Sequence, residues 1–162
     1  MTAPALAIRG FSHVCVSVSD LERSLAFYRD GLGLRVIFDV ELGGAGLEAA
    51  AGEAGARGRM VGCLVPGGVT IELLWFANRV ASERAPRRAT GLTNLALAVS
   101  DLDAAHAALT ARGLRPGRPL EVGGVRMLFV ADPDGTALEL AEFPGGARSS
   151  AEHNGVRAFE PA

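Results

Sequence analysis

Two glutamates lie in the middle of apolar runs of strand length. Glu72 is in Thr70-Ile71-Glu72-Leu73-Leu74-Trp75-Phe76, and Glu139 is in Ala137-Leu138-Glu139-Leu140-Ala141-Glu142-Phe143. Burying a carboxylate is costly unless it is paired or bound to a metal. Two accounts are open for this pair. Arg59 or Arg126 supplies a salt bridge, or a cation outside the chain does. His13 lies in a third apolar run, Phe11-Ser12-His13-Val14-Cys15-Val16-Ser17-Val18. Alternation puts Phe11, His13, Cys15 and Ser17 on one face. A lone strand histidine is either a hydrogen-bonded core residue or a metal ligand. Cys15, on the same face, either lines the same site as His13 or, the simpler reading, packs as a small hydrophobe. Glu142 is assigned to the face of Glu139, exposed near the strand end.

The elements that must position these groups come in a repeated order. Phe11–Val18 is a strand, and Ser19-Asp20-Leu21-Glu22 reads as a capping box opening a helix with Leu21, Leu25 and Tyr28 on its apolar stripe. Gly31 and Gly33 stop that helix. Leu34–Val40 is a second strand. Residues 41–57, rich in glycine and alanine, form a loop with a short helix at Leu47–Ala51. Met60–Val65 and Val69–Phe76 make a hairpin around Pro66-Gly67-Gly68. After a polar linker the order restarts: strand Leu92–Val99, an acidic cap at Ser100-Asp101-Leu102-Asp103, a helix to Gly113, a proline-interrupted strand Leu114–Val122, and a hairpin of Val125–Ala131 with Thr136–Phe143.

The repeat has two offsets. Val18-Ser19-Asp20-Leu21 returns as Val99-Ser100-Asp101-Leu102 at an offset of 81. Pro66, Gly68, Glu72 and Leu73 return as Pro133, Gly135, Glu139 and Leu140 at 67, as does Arg59-Met60 as Arg126-Met127. The first copy therefore carries about fourteen extra residues, which the Gly/Ala-rich loop accommodates. The chain is expected to form one domain over 1–145, built of two βαβββ modules at 10–76 and 92–144 joined by a linker at 77–91, with a frayed tail at 146–162. The class is α+β. A salt-bridge account of the glutamates does not predict their repeated spacing.

A net charge of −2 gives no general attraction to nucleic acid or acidic membranes, and no apolar run is long enough to span a bilayer. The start of the chain lacks the pattern of a signal peptide, and the two cysteines, Cys15 and Cys63, read as reduced and buried. A cytoplasmic protein is expected. The linker arginines Arg79, Arg84, Arg87 and Arg88 read as a solvated face or as contacts to an anionic substrate such as a coenzyme A or carboxylate group. His106 and His153 read as structural or solvated.

Phe11-Ser12-His13-Val14 leading into Val18-Ser19-Asp20-Leu21, then Ile71-Glu72-Leu73, and Asp132-Pro133-Asp134-Gly135 before Leu138-Glu139-Leu140, together resemble the vicinal oxygen chelate superfamily over roughly 10–144. The pattern is closest to glyoxalase I and methylmalonyl-CoA epimerase. The resemblance implies a cupped eight-stranded mixed sheet in which each module sends one residue from its first strand and one from its last to a divalent metal. Carried over, these are His13 and Glu72, then Asn94 and Glu139. In metal-binding relatives the position of Asn94 is usually histidine. An amide offers only its carbonyl oxygen, a weaker donor than imidazole for a borderline ion. With one histidine available, the two-histidine facial triad of an extradiol dioxygenase is not formed.

The resemblance further implies a metal-dependent isomerase, epimerase or lyase acting on a small oxygen-rich substrate, with one zinc, nickel, manganese, cobalt or magnesium ion. Glu139 is the preferred general base, with Glu72 the second catalytic carboxylate. The alternative is a non-catalytic, antibiotic-type binding protein, which Asn94 and the aromatic residues Phe11, Phe76 and Phe143 suit. Trp75 is expected on the face opposite Glu72. A homodimer is expected.

Overall fold

The computed structural model describes residues 10–80 and 90–155. Arg84, Arg87 and Arg88 lie outside them. Among the described residues, eight strands form two hydrogen-bonded sheets of four, giving the expected α+β architecture of two βαβββ modules. The first sheet holds β1 (His13–Ser17), β2 (Arg35–Leu42), β3 (Gly58–Leu64) and β4 (Thr70–Phe76) in the order β1-β4-β3-β2. The second holds β5 (Leu95–Ala98), β6 (Leu120–Val122), β7 (Val125–Ala131) and β8 (Ala137–Glu142) in the order β5-β8-β7-β6. In each sheet the first strand runs parallel to the last, and the other pairs are antiparallel. This pairing sets each glutamate strand directly beside its module's first strand.

One face of each sheet is core. Val16, Val61, Cys63, Ile71 and Leu73 are buried in the first, and Leu128, Val130, Leu138 and Leu140 in the second. Period-2 alternation then turns Glu72 and Glu139 to the other face of their own sheet. Helix α3 (Leu102–Ala111) packs against β7 and β8. Asp101 caps it by accepting from the backbone N–H of Ala104 at 2.8 Å.

Compactness divides the described chain into two units, residues 10–22 with 33–79 and residues 23–32 with 80 and 90–155. Within the second, the buried Tyr28 hydroxyl donates to Asp132 Oδ2 at 3.0 Å, and Arg23 pairs with Asp134 at 3.0 Å. Asp132 Oδ1 also accepts from the backbone N–H groups of Asp134 and Thr136, fixing the turn before β8. The Asp-Pro-Asp-Gly motif is therefore a clasp for the segment around Tyr28.

Several boundaries differ from the sequence expectations. The first helix is α-helical only over α1 (Leu21–Leu25); residues Ala26–Gly31 widen into a π-helical turn closed by Leu32 N–H to the Phe27 carbonyl at 2.9 Å. A short helix in the insertion, α2 (Ala45–Ala51), begins two residues before the expected start. β6 is only three residues long because Pro116 and Pro119 remove backbone donors ahead of it. After β8 the chain makes a 3-10 turn at Pro144–Gly146 and a helix α4 (Ser150–His153), where fraying is the sequence expectation. The His153 ring lies against Phe143 with centroids 5.6 Å apart.

Candidate active site: two carboxylate half-sites

In the first unit, register assembles the site. Cys15 on β1 stands beside Glu72 on β4, Glu72 beside Gly62 on β3, and Gly62 beside Phe38 on β2. These four share one face and form a row across the sheet. A β-bulge between Val36 and Phe38 sets the facing of Phe38. A Cβ at Gly62 would lie 2.3 Å from a Phe38 ring carbon. The absence of a side chain there lets the ring lie over the sheet toward Glu72.

His13 is two residues before Cys15 on that face. Its Nδ1 is 3.7 Å from Glu72 Oε1, a contact longer than a hydrogen bond, and 3.1 Å from Ser12 Oγ. The Cys15 thiol donates to Glu72 Oε2 at 3.6 Å. His13, Cys15 and Glu72 each offer a ligand atom, and these atoms lie within 4.8 Å of one another. Glu72 is 13% exposed and His13 47%, so the carboxylate sits under the imidazole with a route to solvent. Partial shielding of the sulfur, then the hydrogen bond to Glu72 and its charge, push the Cys15 thiol above its ordinary value.

The second unit repeats the plan with different chemistry. Ala96 on β5 stands beside Glu139 on β8, and Phe129 on β7 stands on its other side. Phe129 matches Gly62 at the offset of 67, so the aromatic ring comes from the neighbouring strand itself. Asn94, just before β5, donates from Nδ2 to Glu139 Oε2 at 3.0 Å, and its Oδ1 accepts from the Thr93 hydroxyl at 2.9 Å. Asn94 and Glu139 thus come together, as do His13 and Glu72. In this orientation the amide turns its N–H to the carboxylate.

The salt-bridge account of the glutamates does not hold among the described residues. Arg59 pairs with Asp39 at 2.6 Å and Glu22 at 3.0 Å, and Arg126 with Asp103 at 2.8 Å and Glu142 at 3.1 Å. Both arginines stand on the core-side face, opposite Glu72 and Glu139. Glu22 and Asp103 are themselves related by the offset of 81 and sit in the first turns of α1 and α3. The repeated arginines tie sheet to helix. Trp75, paired with Arg59 in register, lies opposite Glu72 as expected. Glu142 corrects the sequence expectation. Three residues from Glu139, it faces the other way and accepts from Leu102 N–H at 2.8 Å as well as from Arg126.

Sequence reasoning undervalued Cys15, which is exposed, whereas Cys63 is buried and takes the packed role expected of both. Its shared alternation face with His13 was the available signal. Phe38 carried none, because the bulge that aims it has no sequence mark.

The sequence model of the Glyoxalase/Bleomycin resistance protein/Dioxygenase superfamily matches residues 10–140, and the chain belongs to this superfamily. It is 31% identical over 142 residues to the uncharacterized protein YwkD of Bacillus subtilis (strain 168), covering 85% of this chain and 99% of that relative. It is 27% identical over 140 residues to lactoylglutathione lyase of Haemophilus influenzae (strain ATCC 51907 / DSM 11121 / KW20 / Rd), covering 80% and 90%. Among solved structures it shares its fold with a glyoxalase family protein from Bacillus cereus, at a TM-score of 0.75, 22% identity and coverage of 88% of this chain and 98% of that one. It also shares its fold with TnmS3, an antibiotic-binding protein from Streptomyces sp. CB03234, at a TM-score of 0.58, 23% identity and coverage of 85% and 98%.

Proposed function

We propose that the protein is a metal-dependent isomerase, epimerase or lyase of the glyoxalase type, acting on a small oxygen-rich substrate by proton transfer beside a carbonyl. The observation that carries this reading is the environment of the two repeated glutamates. Each shares a face with a first-strand partner and an aromatic residue, and among the described residues neither has an arginine. Similarity to a lactoylglutathione lyase supports the same chemistry.

The donors fit a divalent ion. His13 offers nitrogen and Glu72 oxygen, a pair that a divalent ion accepts. Glu139 is the proposed third ligand, and Asn94 the fourth through Oδ1 once its amide rotates away from Glu139. A divalent ion in such a site supplies Lewis acidity to a substrate carbonyl. Glu139 takes the proton from the adjacent carbon and passes it to solvent. Glu72, protonated from solvent, delivers a proton on the other side. The aromatic rings of Phe38 and Phe129 limit water beside the carboxylates.

A second reading, non-catalytic binding of a small molecule in the same site, is favoured by one observation. Asn94 stands where a histidine ligand is the rule by resemblance, and its N–H already engages Glu139. Hydrogen exchange separates the two. In deuterated water with zinc, a panel of α-hydroxy carbonyl compounds and hemithioacetals is expected to yield one that takes up deuterium next to its carbonyl. Glu139→Gln lowers that rate by about 100-fold or more. Uptake undiminished in Glu139→Gln removes it as the base, and binding with no uptake across the panel supports sequestration.

A further inference from the structure

One donor of the first unit has no role in the scheme above, which takes a single residue from each first strand. We propose that Cys15 is a metal ligand, so that His13, Cys15 and Glu72 together hold a thiophilic divalent cation such as zinc or cobalt. The proposal rests on the metal reading of this site and names the ion class it selects.

Four observations converge on it. The three ligand atoms already lie within 4.8 Å of one another. Register makes the convergence a property of the fold: Cys15 is beside Glu72 across the parallel β1–β4 pair, and His13 is two residues back on the same face. The matching position in the second unit, Ala96, carries no donor, so the sulfur is peculiar to the half-site that also has the imidazole. A purely packed cysteine is accounted for elsewhere by buried Cys63, whereas Cys15 is exposed beside a carboxylate.

The S–H bond of Cys15 breaks, a sulfur–metal bond forms, and the proton now donated to Glu72 leaves to solvent. Glu72 replaces that hydrogen bond with the cation. A nitrogen, sulfur and oxygen set binds zinc or cobalt and discriminates against magnesium, which prefers all-oxygen ligands.

Cobalt(II) reports this directly, because a thiolate on cobalt gives a near-ultraviolet charge-transfer band that nitrogen and oxygen ligands do not. Metal-free protein titrated with cobalt is expected to develop the band to saturation at about one ion per chain. The chain has two cysteines, so Cys63→Ala should keep the band while Cys15→Ser and Cys15→Ala lose it. Zinc affinity should fall about tenfold or more in both Cys15 variants, and excess magnesium should not displace zinc from the wild type. Cobalt bound without the band, in wild type or in Cys63→Ala, overturns the role of Cys15 and leaves the His13–Glu72 reading standing. A chain that binds no cobalt overturns both. The wild-type and Cys63→Ala spectra decide the matter even if a Cys15 variant fails to fold.

Discussion

Glu72 and Glu139 hold equivalent strand positions but have different neighbours. Glu72 sits among an imidazole and a thiol, a setting for a cation, while Glu139 receives one neutral amide N–H and remains a free acceptor otherwise among the described hydrogen bonds. Glu72→Gln should therefore lower zinc affinity by orders of magnitude, on the order of 100-fold, with an unchanged circular dichroism spectrum. Asn94→His should tighten zinc by about tenfold, ~1.4 kcal/mol, because imidazole is the better donor to a borderline ion. Turnover should stay equal or fall, since another protein ligand fills a position that substrate or water needs. No change in zinc affinity on titration would remove Asn94 from the site. At this scale the sequence revealed the glutamates, because a charge in an apolar run is conspicuous. It concealed the Asn94 amide's engagement with Glu139, since a side chain's partner depends on register across strands that are far apart in the chain.

At the scale of elements, the repeated arginines anchor sheet to helix. Arg59 beside Asp39 holds its carboxyl below the ordinary range, first through their hydrogen bonds. A depressed folded-state value stabilises above the unfolded value and is lost on acidification. Arg59→Ala should thus melt slightly below wild type at neutral pH, the gap closing as pH falls through about 3.9 and below. A gap independent of pH would place the effect in packing instead. The pair is solvent-exposed, so the gap is small and shrinks in salt. Gly62 is a sharper test of the floor of the site. Gly62→Ala drives a methyl into the Phe38 ring and should cost about 1–3 kcal/mol, with Phe38→Leu restoring much of the melting temperature in the double variant. If Gly62→Ala melts like wild type, the ring does not rest where the strand row puts it. Alternation and turn residues made the hairpins and helix starts legible from sequence. The bulge at Ile37 and the π-helical turn after Leu25 were not, because local periodicity does not mark them. The helix beyond Pro144 was missed although Ser149 and Glu152 form a local cap at its start.

At the scale of the molecule, the two βαβββ modules were legible as a repeat, and the superfamily follows from the match over residues 10–140. The assembly of the two half-sites on one ion is proposed by resemblance, within a chain or across a homodimer, and sedimentation at micromolar concentration is expected to give a dimer. A monomer would remove the second arrangement. No helix among the described residues is long and apolar enough to cross a membrane. The repeated glutamates are proposed to serve one cation, and calorimetric titration of metal-free protein with zinc measures that binding. The expected result is about one ion per chain, with affinity weakened on the order of 100-fold by Glu72→Gln and again by Glu139→Gln. No zinc uptake, or affinity unchanged in both variants, would contradict it.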